Sequence, residues 1–251
     1  ARFFDDGKFF TASGKAQFIA LSTHAPDNLP SKMYPLILNT GRLRDQWHTM
    51  TRTALAPRLN QHRPEPFIEI NVQDADLYGL KNAELAQVNS AWGGMTARVS
   101  ITDKQLPGQI FVPMHWTAQH SSNGRMGALV NPAIDPISKQ PESKHTPVMI
   151  APAKFKHYGF ILAREPLDTV SISKDCDYWV HVPCEGYHRY EIATNTAPSN
   201  WQSWIIAVTR KFDASNFQEY QDKALGVYRS AAITGGKLQL LLNISCNPHQ
   251  P

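Results

Sequence analysis

Short apolar runs broken by glycine and proline dominate residues 1–150. AQFIAL (16–21), PLILN (35–39) and FIEIN (67–71) predict short buried strands. DADLYGL (74–80) predicts a turn or two of helix with an acidic start and Gly79 near its end. LAQVNS (85–90) and MTARVSI (95–101) predict strands joined by a turn at Gly93-Gly94. A turn at Pro107-Gly108 then leads to QIFVP (109–113), and TPVMI (146–150) supplies a strand able to close the set. Short strands at 8–14-residue spacing, separated by turn residues, predict a β-barrel or sandwich.

The pattern changes after APAK (151–154), which marks a boundary between a domain at residues 1–152 and a second at 153–251. YRSAAI-TGG-KLQLLLNI (228–244) predicts a β-hairpin turned on Gly235-Gly236. NWQSWIIAVTRKF (200–212) and NFQEYQDKAL (216–225) carry helical rather than alternating patterns. A mainly β chain with a small α+β unit at its end is therefore expected.

At 251 residues and 42% hydrophobic content, the chain can bury a substantial core and shows no signature of disorder. No apolar run approaches a membrane span, so no membrane partner is expected. The start, ARFFDDGKFF, has no initiator Met and no signal-peptide pattern, and leads us to expect an excised fragment of a longer chain. Cys176, Cys184 and Cys246 form an odd set without C-x-x-C spacing, which favours reduced thiols in a cytoplasmic protein over a disulfide framework, a zinc site or an iron–sulfur ligand set.

Charge narrows the search. The net +4 is modest, but residues 1–65 carry nine Lys/Arg against five Asp/Glu, while the remainder carries sixteen of each. A local anionic ligand fits that distribution better than a nucleic-acid track, so no nucleic-acid partner is expected. Within the basic segment, NTGRLRDQWHTMTRT (39–53) places four threonines and three arginines around a single glycine, directly after a strand. Hydroxyls, guanidinium forks and close backbone approach are what a diphosphate requires, and Trp47 and His48 offer rings to a heterocycle. The stretch is neither a Walker loop nor a Rossmann turn. Taken singly, each residue also reads as a polar loop with Trp47 in the core and the arginines solvated.

LNTGRLRDQWHTMTRT (38–53) resembles the dinucleotide-binding motif in the C-terminal domain of molybdopterin oxidoreductases, and within them that of assimilatory nitrate reductases. EINVQDADLYGLKNAELAQVNSAWGG (69–94), PGQIFVPMHW (107–116) and VNPAIDPISKQPESK (130–144) are similar to later family segments, in the right order. The likeness is specific to about residue 150 and looser beyond. There YQDKALGVYRSAAITGGKLQLLLNI (220–244) resembles the segment preceding an iron–sulfur module in some assimilatory enzymes.

The resemblance implies a double-psi β-barrel of the aspartate-decarboxylase-like type that caps molybdenum held by two molybdopterin guanine dinucleotides. It implies cofactor contacts at Thr40, Gly41, Arg42, Gln46, Trp47, His48 and Thr49 with Thr51 beside them, at Met114, His115 and Trp116, and at Lys144. His48 also reads as a satisfied structural histidine, His115 and Trp116 as packing at a strand end, Lys144 as a solvated lysine and Asp135 as a turn former. Two positions depart from the family: Gly127 stands where many relatives carry Asn, and Ala83 where they often carry Gly.

The implied reaction is reduction of nitrate to nitrite by oxygen-atom transfer. The molybdenum ligand and the iron–sulfur cluster are expected outside this fragment, so no catalytic or metal-binding residue is expected within it and the fragment alone should be inactive. Its expected partners are the missing N-terminal domains and an electron-donor protein or domain. A formate dehydrogenase or another member of the superfamily remains an alternative, as does a double-psi interaction module without cofactor.

Overall fold

A computed structural model of the chain describes residues 2–20, 22–212 and 214–248. Six strands close into a barrel: β1 (Leu36–Gly41), β2 (Phe67–Ile70), β3 (Leu85–Asn89), β4 (Gly94–Ile101), β5 (Gln109–Pro113) and β6 (Thr146–Pro152). Their order around the barrel is β1-β5-β2-β4-β3-β6. β1 is parallel to β5 and β2 to β4, while the other neighbours are antiparallel. This mainly β architecture, a closed barrel with two parallel pairs, is the double-psi fold.

Alternation explains why these segments close on one another. In β4, Met95, Ala97 and Val99 point inward and are buried, and in β1 Leu36 and Leu38 do so. They meet Ile68, Ile70, Val88, Ile110, Val112 and Val148 in one core, where each large aliphatic side chain contributes about 1.5–3 kcal/mol by leaving water. Two helices interrupt the strands, the one-turn α1 (Pro57–Asn60) and α2 (Val72–Leu77). Asn71 caps α2 by accepting from Gln73 N–H at 2.8 Å. From within α2, the buried Asp74 accepts from Gly108 N–H at 2.7 Å and so pins the turn that launches β5.

AQFIAL does not form the expected buried strand. Residues 16–20 have no regular structure, Phe18 and Ile19 are 98% and 77% exposed, and residue 21 lies outside the described residues. A strand needs an edge to pair with, and the closed barrel offers none.

A second sheet follows, made of β7 (His157–Ala163), β8 (Tyr178–Cys184), β9 (Tyr187–Thr194), β10 (Phe217–Asp222), β11 (Val227–Thr234) and β12 (Lys237–Ser245). All pairings are antiparallel, in the order β10-β11-β12-β7-β9-β8. Two helices, α3 (Thr169–Asp175) and α4 (Trp201–Thr209), pack side chains such as Ile172, Trp204 and Ile205 into its core. The β11–β12 hairpin turns at Gly235 and Gly236 as expected, both with positive φ. NFQEYQDKAL forms strand β10 instead of a helix. Its four central side chains are exposed, so no apolar alternation marks it, and pairing with β11 along its whole length decides its conformation.

Charged groups join the two sheets. Glu65 accepts from Arg98 Nε of β4 at 2.8 Å and from Arg189 Nη2 of β9 at 2.7 Å. Glu191, also on β9, lies 3.0 Å from Arg189 Nε and 3.6 Å from Arg98 Nη2. A cavity of about 320 Å³ adjoins this quartet, and the buried Tyr178 lines it. Burial and the neighbouring Glu65 push Glu191 up to about 7, against the pull of both arginines. Among the described residues, no helix is long and apolar enough to cross a membrane.

Ala83 adopts φ +67°, the left-handed region that costs a side-chain-bearing residue about 1–2 kcal/mol. Adjacent Asn82 holds the turn by accepting from Ile101 N–H at 2.9 Å. We therefore expect Ala83→Gly to stabilise the protein by about 1 kcal/mol. Glu65→Ala, which strips both guanidiniums of their best partner, should cost about 3 kcal/mol. Urea unfolding of the two variants checks both signs.

Candidate functional site

The barrel brings three sequence-distant stretches to one end. Parallel pairing sets Gly41 opposite Pro113, so the loops after β1 and β5 leave at the same level. β6 runs the other way, with Thr146 opposite Leu38. Lys144 lies in the turn two residues before β6 begins.

The polar residues on this end divide into two groups. The first is consumed by the framework. Thr40 is buried and donates its hydroxyl to the Val112 carbonyl at 2.7 Å, tying β1 to β5. Gly41 lets that strand end approach Phe111, whose ring would lie 3.3 Å from any added Cβ. Buried Gln46 donates to Asn60 Oδ1 at 2.9 Å and accepts from the Thr53 hydroxyl. His115, fully buried, bridges the first loop from beneath: Nε2 accepts from Leu43 N–H at 2.8 Å, and Nδ1 lies 2.6 Å from the His48 carbonyl oxygen. A carbonyl can only accept, so Nδ1 carries the proton and the ring is neutral. Burial is the main cause that lowers the His115 pKa, helped by Arg42 and His48 and opposed by the hydrogen bond to His48.

These ties hold a strained loop. Asp45, His48 and Met50 all have positive φ, at 71°, 42° and 64°. Non-glycine residues persist there only where surrounding contacts over-determine them. Asp45 adds an ion pair to Arg44 at 3.1 Å and stands 3.6 Å from His62 Nδ1.

The second group faces solvent. Arg42, Trp47, His48, Thr49 and Thr51 are exposed. Trp47 meets His48 edge-on, and the Arg52 guanidinium stands 5.2 Å from its ring. Beside them lies a depression of about 540 Å³ lined by Thr49, Met114, Trp116, Thr117, Ala118, Gln119, Arg125, Met126 and Gly127. Thr49, Met114 and Trp116 thus come together. Arg42, Thr51 and Lys144 share the same end of the barrel without lining the depression. The Lys144 loop is closed by buried Asn131, whose amide donates to the Glu142 and His145 carbonyls at 3.1 and 3.0 Å. Asp135 forms a turn within it, accepting from Ile137 N–H at 3.0 Å and from Ser138 N–H at 2.6 Å.

Two contributors escaped the sequence pattern. Arg125 lines the depression, yet nothing in its Ser/Gly-rich run distinguishes it from a solvated arginine. Gly93 permits the β3–β4 turn to press against the same loop, since a Cβ there would stand 2.4 Å from the Ala128 carbonyl oxygen. No group of three His, Cys, Asp or Glu side chains among the described residues is placed to hold a metal ion.

Residues 36–147 match the family described as the molydopterin dinucleotide binding domain. The barrel belongs to that family. The chain is 40% identical over 202 residues to a nitrate reductase of Klebsiella oxytoca, covering 78% of this chain and 23% of that protein. It is 31% identical over 185 residues to a nitrate reductase of Shewanella frigidimarina, covering 65% and 19%. It is 36% identical over 143 residues to the F420-dependent formate dehydrogenase subunit alpha of Methanocaldococcus jannaschii, covering 57% and 20%. The chain therefore spans about a fifth of the length of these relatives.

The free groups of the dinucleotide-binding barrel suit a ligand rich in negative charge and hydrogen-bond acceptors. Arg42, Arg125 and Lys144 have no carboxylate partner among the described residues. Trp116 Nε1 is buried without an acceptor, although its ring lines the depression. Such an orphaned donor is costly unless a ligand or water completes it.

Because the lowered pKa favours neutral His115 in the folded state, its contribution to stability is complete above about pH 6.5 and is lost as pH falls toward the folded value. The melting temperature should therefore drop on acidification from pH 7 to pH 5, and should drop less in His115→Gln. Amide exchange at Leu43 should be faster in that variant at pH 7. Melting curves and exchange by NMR measure both.

Proposed function

We propose that this chain is the C-terminal, cofactor-binding part of a molybdenum-dependent assimilatory nitrate reductase. In this reading residues 1–152 are its dinucleotide-binding barrel and 153–251 a second domain. The observation that carries the reading is the convergence of the loops on one end of the barrel, where Arg42 and Lys144 have no carboxylate partner among the described residues and Arg125 lines the same depression as Trp116. Arg42, Arg125 and Lys144 take the phosphates of a molybdopterin guanine dinucleotide. Thr49 and Thr51 donate hydroxyls to it, and Trp47 and His48 present rings to the guanine. Met114 and Trp116 border the depression on the pterin side. Thr40, Gly41, Gln46 and His115 act from beneath, by fixing where the exposed groups stand.

When bound, the molybdenum cofactor supplies two-electron oxygen-atom transfer, here from nitrate to give nitrite. The chain's own part is to bind and orient the dinucleotide, and it contributes no metal ligand or catalytic residue. The upstream domains and an electron-donor protein or domain complete the enzyme, and an iron–sulfur cluster belongs outside this chain. Three free cysteines suit a cytoplasmic setting.

Nitrate is favoured over formate by the match to the Klebsiella oxytoca nitrate reductase, 40% identical over 78% of this chain, against 36% over 57% for the formate dehydrogenase. A match over 78% of the chain cannot end within residues 36–147 and extends into the second sheet, whereas one over 57% has no need to.

Calorimetric titration with GDP tests the binding site. We expect saturable binding that weakens with salt, and a loss of about tenfold in affinity for Arg42→Ala or Lys144→Ala. Absence of binding at millimolar GDP would favour an interaction module. Nitrate reduction by the 251-residue chain with an artificial electron donor would overturn the claim that it is inactive alone.

A further inference from the structure

Strand β8 belongs to the second sheet and lies beyond the family-matched residues 36–147. One of its edges pairs with β9, and it ends the sheet. Its other edge is taken up by the loop that lines the depression. Ser121 forms an antiparallel bridge with Val180. Ser122 N–H donates to the Trp179 carbonyl at 2.9 Å, and His181 N–H donates to the His120 carbonyl at 2.8 Å. The Ser122 hydroxyl accepts from Trp179 N–H at 3.0 Å.

The first loop reaches the same strand by its continuation. The turn at Thr53–Leu55, whose Thr53 holds Gln46, packs against β8, as does α1. A few residues on, Glu65 grips Arg189 of β9, beside it.

We infer that β8 is the platform that sets the two walls of the dinucleotide slot relative to each other, with Ser122 and the Trp179 backbone as positioning groups. This rests on the binding reading above and assigns a role to β8, which lies outside the family-matched residues. The barrel fixes where both loops begin. From there, residues 42–52 and 117–124 are long and irregular, and β8 receives both, the first through the turn at Thr53–Leu55 that follows it and the second through the bonds of His120, Ser121 and Ser122. A loop held in its binding shape for only part of the time lowers apparent affinity by that fraction.

The test uses the whole chain, with GDP as the probe. Ser122→Ala removes the acceptor for Trp179 N–H and leaves the backbone bonds. Ser122→Thr keeps a hydroxyl, and Arg229→Gln, on the far strand β11, is the distal control. We expect Ser122→Ala to weaken GDP binding about fivefold and to speed amide exchange at residues 117–124 and at Leu43. Ser122→Thr should restore both, and Arg229→Gln should alter neither. Unchanged affinity and exchange in Ser122→Ala would overturn the inference. So would weakening of equal size in Arg229→Gln, which would mark a general stability effect. If the native chain binds no GDP, the binding reading falls. Amide exchange then decides the platform alone: faster exchange in Ser122→Ala upholds it, and unchanged exchange sinks it.

Discussion

The contact between Glu65 and two arginines on different sheets is the constraint from which the site's geometry follows. Arg98 stands on the barrel and Arg189 on the second sheet, and one carboxylate receives both at 2.8 and 2.7 Å. Desolvating such charges costs several kcal/mol per ion, so the quartet contributes little as glue. Its value lies in geometry. Apolar surfaces slide against one another with small penalties, whereas a carboxylate shared between two guanidiniums tolerates only one relative placement of the sheets. That placement puts the edge of β8 within reach of Ser121 and Ser122.

Above this junction, the polar side chains of the site separate into holders and presenters. Thr40, Gln46, Thr53 and His115 spend their hydrogen-bonding capacity inside the protein. Arg42, Thr49, Thr51 and Lys144 keep theirs for solvent. The first group makes the second effective, because a ligand need not bear the entropy of ordering a loop already fixed in three left-handed residues.

Much of the barrel was legible because its strands are short, largely buried apolar runs and its turns carry Gly, Pro or a capped helix. What the sequence pattern concealed follows a physical logic. AQFIAL has the composition of a strand but the closed barrel beside it in sequence leaves it no edge, and NFQEYQDKAL joins the open second sheet without the apolar alternation that would announce it. The ring of loops at the site was readable from its density of hydroxyls and guanidiniums. Which of those groups are free was not, since Gln46 and Thr53 look as available as Thr49 and Thr51 until Asn60 arrives beside them. Ala83 shows the limit in the other direction: the missing glycine was visible, but only the fold reveals that the alanine itself takes the left-handed conformation.

The imidazole under the first loop has a consequence for how this site is inherited. His115 lies 72 residues from Leu43 and 67 from His48 along the chain, and it reaches them only because β5 has paired with β1. The stretch from Asn39 to Thr53 is therefore not a portable cassette. Grafted onto another scaffold, it would bring its threonines and arginines but leave behind the ring that bends the backbone into shape. Recombination that splits the chain between β1 and β5 breaks the site even when every ligand-facing residue is retained, so the unit that must travel together is the barrel, not the motif.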